Sequence, residues 1–260
     1  RKIKGICVMG ENPAMSDPNA GHAREAMARL EHLVVQDIFL TETAFLADVI
    51  LPATAFPEKD GTFSNTNRQV QLARQAVNAP GDARQDWWII QEIANRIGLD
   101  WSYTHPKDVF TEMHTIMPSL NGITWERLER EDSVTYPCDS EDVPGHDIVF
   151  GDGFPTASKR GKLVPTEIVA PYEMPDEAYP LILTTGRMLE HWHTGAMTRR
   201  SSRLDALEPV PVASFHPNQL DQMNIGPGDT IKVASRRGEI EIAARADRDV
   251  PDGMVFIPFC

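Results

Sequence analysis

Residues 3–10, IKGICVMG, form an apolar run that stops at a glycine, and a polar segment, NPAMSDPN, follows it. This order predicts a strand and then a connecting loop. Residues 20–32, AGHAREAMARLEH, place Ala23, Met27 and Leu30 at helical spacing among good helix formers, which predicts a helix. LVVQDIF and DVILPA read as two further buried strands. Strands alternating with short helices predict a βαβ architecture with a parallel sheet, whose ligands bind beyond the carboxyl ends of the strands. The positions of interest are therefore those that follow the apolar runs: Gly10, Glu11 and Asn12, then Gln36 and Asp37, then Ala53 and Thr54.

Further along, DARQDWWIIQEIANRIGLD is the clearest helix. Asp82 or Asp86 starts it, Trp88, Ile89, Ile93 and Ile97 are expected to form its apolar face, and Gly98 ends it. PKDVFTEMHTIMP and TWERLERE predict two more short helices. Residues 132–178, rich in Pro, Gly, Asp and Ser, read as an irregular connection with short strands such as GKLVPTEIV. The texture changes at Tyr179. YPLILTTGR is a strand ending on a glycine, HPNQLDQM a short helix, DTIKVASRRGEIEIAARA a hairpin about an Arg-Gly turn, and MVFIPF a last strand. These elements predict a small, mostly β domain of barrel type. The expected organisation is an α/β domain over 1–131, the connection over 132–178 and a β-barrel domain over 179–260.

Charge narrows the list of partners. A formal net charge of −13 opposes a general nucleic-acid or anionic-membrane surface, so an anionic ligand must be met by a few arginines and backbone N–H groups. No apolar run approaches a membrane span. Cys7, Cys138 and Cys260 are odd in number and far apart, which rules out a disulfide framework or a CxxC metal site and fits a reducing cytoplasm. The absence of an initiator Met and the apolar final strand lead to the expectation that the chain is a fragment of a longer polypeptide.

The segment TGRMLEHWHTGAMTRR, residues 185–200, holds His191 and His193 around Trp192, with Arg187 before them. A zinc site needs three or four ligands, and no third partner lies nearby. Two readings remain: polar residues of a surface loop, or hydrogen-bond donors to a polar ligand beside the planar fork of Arg187. GENPAMSDP could cradle a phosphate or be a simple strand-to-helix turn. Asp86 could be a carboxylate favoured by the helix dipole, or a reader of a guanine edge, since one carboxylate accepts from both the ring N–H and the exocyclic amine. GxGxxG, P-loop and GxSxG motifs are all missing, and no self-contained catalytic centre is visible.

Taken in order, GENPAMSDP, then the stretch from LVVQDIF through GTFSNTNRQVQ, then QDWWIIQEIANRIGL, then TTGRMLEHWHTGAMTRR resemble the molybdopterin oxidoreductases, the enzymes that carry a bis(molybdopterin guanine dinucleotide) cofactor. The resemblance covers essentially the whole chain. Within the family it is greatest to alpha subunits of formate dehydrogenases of the cytoplasmic, NAD-dependent type. Nitrate reductases, which share a similar EHWHTG segment, come next. It implies a Rossmann-like α/β domain holding one guanine dinucleotide and a C-terminal double-psi-type β-barrel domain helping to hold the other.

By match to the family motifs, Gly10, Glu11, Asn12 and Ser16 are expected to line one dinucleotide's phosphate and ribose. Gln36 and Asp37 would sit at the next strand end, and Asp86 would read the guanine. Thr185, Gly186, Arg187, His191, His193 and Thr194 would contact the other pterin and its phosphates. Asn65, Arg68 and Gln71 form a second tier, in which loop ordering and direct contact are both open. The resemblance places the molybdenum-ligating cysteine or selenocysteine, its partner histidine and the iron–sulfur cysteines upstream of this chain, so the chain alone is expected to be inactive. The parent would oxidise formate to carbon dioxide on molybdenum or tungsten. Electrons would pass through iron–sulfur clusters to a flavin-bearing, NAD-reducing subunit. The alternatives are a nitrate reductase catalytic subunit and a non-catalytic subunit of the respiratory complex I type. Retention of Asp86, Arg187, His191 and His193 argues against the last.

Overall fold

The computed structural model describes residues 2–260. The chain divides into two compact units: Arg1–Val35, Phe39–Val49 and Glu167–Cys260 form one, and Gln36–Ile38 with Ile50–Thr166 the other. The first unit opens with β1 (Gly5–Met9), a short α1 (Pro13–Ser16), α2 (Ala20–Ala28) and β2 (His32–Asp37); β3 (Val49–Pro52) follows. These strands form a three-stranded parallel sheet in the order β1-β2-β3. Val8, Ala14, Met27, Leu33, Val35 and Ala44 pack beside it. The helix expected over 20–32 stops at Ala28, because the N–H groups of Glu31 and His32 turn to the Lys4 carbonyl and start strand pairing. The carboxyl ends of β2 and β3 belong to the second unit.

The second unit adds an antiparallel sheet, β4 (Gly61–Ser64), β5 (Gln69–Ala73) and β6 (Ser133–Thr135), in that order. Three helices accompany it: α3 (Asp86–Arg96), α4 (Pro106–Ile116) and α5 (Trp125–Glu131). Val70, Phe110, Ile123, Trp125, Leu128 and Val134 lie within its core. Arg127, buried with them, donates to the carbonyls of Gly122 and Val143 and pairs with Glu131. The apolar face expected on α3 is corrected. Ile89, Gln91 and Ala94 are the buried positions, while Trp88 and Ile93 are partly exposed and Ile97 is 74% exposed. Gln91 is drawn inward because its amide exchanges two hydrogen bonds with the Tyr103 backbone, at 2.7 and 3.1 Å.

Helix α3 matters because Asp86 is its first residue, and Gly98 fixes its other end. Gly98 has φ +95°, its N–H donates to the Asn95 carbonyl, and the Leu99 N–H donates to that of Ala94. This is a Schellman cap, in which a side chain is disfavoured by the left-handed backbone. Gly98→Ala is expected to lower unfolding stability by about 1 kcal/mol, read by denaturant titration, with Gly98→Asn costing less. An unchanged midpoint would mean that the cap contributes nothing.

The expected strand at GKLVPTEIV does not form: Leu163, Val164, Ile168 and Val169 stand in solvent, and Pro165 lacks the N–H that a ladder needs. The chain returns to the first unit with β7 (Ile182–Gly186), α6 (Ser202–Leu207), β8 (Val212–Phe215), α7 (Pro217–Met223), β9 (Thr230–Ser235), β10 (Gly238–Ala246) and β11 (Met254–Pro258). The strands curl into a half-barrel of mixed direction, in the order β7-β11-β8-β10-β9, around Phe215, Leu220, Ile242 and Val255. The β9–β10 hairpin turns on Arg236 and Arg237, since Ser235 pairs with Gly238; the expected Arg-Gly turn lies one residue earlier. Among the described residues no helix is long and apolar enough to cross a membrane.

Candidate functional site

In the second unit, polar side chains gather where β2 and β3 end. Gln36 is buried at the end of β2. Its Nε2 donates to Asp86 Oδ1 at 2.8 Å, and Lys59 Nζ pairs with the other carboxylate oxygen. Lys59 Nζ also donates to the Thr54 carbonyl at 3.2 Å. A parallel bridge between Ala53 and Arg84 carries the chain from β3 to the start of α3, so Asp86 emerges beside the strand ends. A carboxylate offers about four lone-pair sites. Gln36 and Lys59 take one on each oxygen, and one on each remains for a ligand with two adjacent N–H donors. Asp37, at the same strand end, accepts from the Ile38 N–H.

In the first unit, Gly10 turns the chain after β1 at φ +63°, and Glu11 and Ser16 are exposed nearby. Asn12 is buried and its amide is committed inward. Nδ2 donates to Glu42 at 2.8 Å, while Oδ1 accepts from the Thr43 N–H and hydroxyl. This staple joins the loop after β1 to the loop after β2. The Asn12 hydrogen bond, helped by Glu42's own N–H and by the charges of Arg200 and Arg24, holds the Glu42 carboxyl below the usual range. Arg200 lies over the Phe39 ring.

The segment after β7 places its two histidines differently. His191 is 1% exposed; its Nδ1 lies 3.2 Å from the Thr198 hydroxyl and its Nε2 3.1 Å from the Glu208 carbonyl. Both ring nitrogens are therefore used within the protein. His193, at φ +50°, is exposed. Its Nε2 accepts from Arg187 at 3.0 Å, which leaves Nδ1 carrying the proton of the neutral ring. Arg187 lies over Trp192, and His193 stacks on Phe259. Thr185 is exposed, and Thr194 is half-buried beside them. A Cβ at Gly186 would come within 2.9 Å of the Phe256 ring edge, so a side chain there would require that ring to shift. Arg187 and His193 together form an outward, donor-rich surface suited to an anionic or polar ligand.

Of the second-tier residues, Arg68 and Asn65 hold a loop. Arg68 donates to the carbonyls of Tyr136 and His146, Asn65 accepts from the Gln69 N–H, and Gln71 lies in β5. Among the described residues no three His, Cys, Asp or Glu side chains converge to hold a metal ion. Sequence reasoning missed Lys59 and Glu42. Lys59 lies in AFPEKDG, in the loop between β3 and β4, and nothing local in the sequence singled it out.

Residues 1–96 match the family model described as molybdopterin oxidoreductase, and residues 181–260 the molydopterin dinucleotide binding domain. Over 261 residues the chain is 47% identical to the F420-dependent formate dehydrogenase subunit alpha of Methanocaldococcus jannaschii, covering all of this chain and 39% of that relative. It is 36% identical to the assimilatory nitrate reductase catalytic subunit of Bacillus subtilis, covering 98% of this chain and 37% of that one. Acetylene hydratase from Pelobacter acetylenicus shares the fold with a TM-score of 0.77 at 24% identity, over 98% of this chain and 37% of the other. The chain thus spans about two fifths of the length of these proteins.

Proposed function

The chain belongs to the molybdopterin oxidoreductase family, and we propose that it is the cofactor-binding portion of a formate dehydrogenase alpha subunit. The observation that carries this reading is the 47% identity, along the whole chain, to a formate dehydrogenase alpha subunit. Two polar clusters fit the cofactor. The Asp86 carboxylate keeps an acceptor site on each oxygen, as a guanine edge requires, with Gln36 fixing it from behind and Asp37 alongside. Gly10, Glu11, Asn12 and Ser16 border the phosphate and ribose of the same dinucleotide, Asn12 by shaping the loop. Thr185, Gly186, Arg187, His193 and Thr194 meet the second pterin and its phosphates, while His191 holds their segment in place.

When bound, the bis(molybdopterin guanine dinucleotide) supplies the redox chemistry through its molybdenum or tungsten ion. The parent's reaction is formate to carbon dioxide, releasing one proton and two electrons. The residues of this chain bind and orient the cofactor, and its isolated form is inactive. The electrons leave through iron–sulfur clusters elsewhere in the parent, to a partner subunit in the cytoplasm. The sequence resemblance pointed to NAD as final acceptor, and the relative of 47% identity is named for F420, so both carriers are to be assayed. Nitrate reduction is the second reading, favoured by 36% identity over 98% of the chain.

The test uses the full-length parent, purified without oxygen. Formate is expected to reduce viologen dye, and nitrate is expected not to oxidise the reduced dye. Nitrate-driven oxidation alone would move the protein to the second reading. Neither activity, with no molybdenum or tungsten bound, would leave a non-catalytic subunit.

A further inference from the structure

Two consecutive arginines close the segment that carries Arg187 and His193, and they are used differently. Arg199 is spent within its own stretch of chain, on the Asp205 carboxylate at 3.1 Å and the Glu208 carbonyl at 3.3 Å. Arg200 reaches out of it. One of its Nη atoms donates to the Ala196 carbonyl and the other to the Leu40 carbonyl at 3.3 Å, while the guanidinium lies 4.7 Å from the centre of the Phe39 ring. Phe39 and Leu40 belong to the loop after β2, which Asn12 staples to the loop after β1 through Glu42 and Thr43. On the other side of Arg200 the backbone is closely folded. The Gly195 N–H donates to the Trp192 carbonyl, that of Arg199 to the Gly195 carbonyl and that of Arg200 to the Met197 carbonyl. The Thr198 hydroxyl meets both the Trp192 N–H and His191. A displacement at Arg200 is therefore carried to Trp192 and to His193 beside it.

We propose that Arg200 is a positioning residue that sets the segment of Arg187 and His193 against the loop after β2, and so fixes the spacing between the two cofactor-facing surfaces of this unit. The inference rests on the cofactor-binding reading of both surfaces. A cofactor that touches both is held only while their spacing fits it, so a residue that fixes the spacing contributes without touching the cofactor. Arginine suits the task. Its planar fork donates to two carbonyls while its face lies on a ring, and the compact ammonium of lysine cannot do all three at once. Arg200 is itself exposed, so its contacts add little to the core and act on the placement of the segment.

The experiment compares the full-length holoenzyme with its Arg200→Met, Arg200→Lys and Phe39→Leu variants and with the Arg200→Met/Phe39→Leu double variant. One readout is the guanine nucleotide released by acid after timed dialysis. The other is the melting temperature of full-length protein made without the cofactor. Arg200→Met is expected to lose nucleotide about tenfold faster, the scale of one hydrogen bond from a charged donor, and to melt with the parent when cofactor-free. Arg200→Lys is expected to restore part of the retention, since a cation still lies over Phe39. The double variant is expected to lose nucleotide no faster than Arg200→Met alone, because both changes break the same contact. Parental retention in Arg200→Met would overturn this inference alone. So would a lowered melting temperature, which would make Arg200 part of the scaffold. Fully additive losses in the double variant would overturn it too, since Arg200 would then act on the cofactor without the loop. A parent that releases no guanine nucleotide would overturn the cofactor reading, and this inference with it.

Discussion

Asp86→Ala is expected to strip the parent of most of its bound guanine nucleotide, raising the loss rate by roughly a hundredfold. The estimate follows from the bonds removed. Two hydrogen bonds to a charged acceptor contribute about 3 kcal/mol together, and each 1.4 kcal/mol is a factor of ten. The substitution also acts inside the protein. Gln36 Nε2 loses its acceptor, and Lys59, whose side chain is 20% exposed, keeps its charge with only the Thr54 carbonyl as partner. Removing one member of a partly buried pair leaves the other uncompensated, so a stability loss of about 2 kcal/mol is expected beside the loss of nucleotide. Asp86→Asn separates the two effects. It preserves shape, but its amide turns at least one donor toward Gln36, Lys59 or the base. Metal and nucleotide content per chain, with a denaturant midpoint, are the measurements. Unchanged nucleotide content in Asp86→Ala would end its role as a base reader.

Asp86 was legible in the sequence because it lies where a helix signal begins, and local chemistry marks such positions. Gln36 was legible too, as a strand-end residue, but its pairing with Asp86 and the part played by Lys59 were not. Gln36 and Lys59 lie 50 and 27 residues from Asp86, and pairing of Ala53 with Asp37 and with Arg84 sets the strand ends beside the start of α3. Strand ends were readable as the place for a ligand, and Gln36 and Thr54 are found there. Which of their atoms would be paired was not readable, since that depends on contacts between distant loops. The hairpin of β9 and β10 followed directly from alternation, with an error of one residue in its turn. Helix α3 was found, but its buried face was not. Hydrophobicity pointed to Ile97 and Trp88, whereas the backbone of Tyr103 selected Gln91 through hydrogen bonds no periodicity contains. The segment 161–169 failed for the opposite reason: its apolar pattern is strand-like, but no neighbouring strand pairs with it.

The two histidines are expected to separate cleanly when each is replaced. His191→Ala removes a buried ring whose two nitrogens bind Thr198 and the Glu208 carbonyl, so it opens a cavity and leaves polar groups unpaired. Those losses together cost about 3 kcal/mol. The segment from Trp192 to Glu208 loses its anchor, since the Thr198 hydroxyl that meets His191 also accepts the Trp192 N–H. His193→Ala removes an exposed ring, and surface changes of that kind move stability by about 0.5 kcal/mol or less. Its effect falls on binding, because the Arg187 guanidinium loses the acceptor that orients it and the Nδ1–H donor disappears. Retention of cofactor is expected to fall about tenfold, the worth of one hydrogen bond to a charged group. Thermal melting and nucleotide content of the same two proteins decide the matter. A stable His191→Ala protein that has lost its nucleotide would make His191 the direct contact. An unstable His193→Ala protein would return that ring to the scaffold.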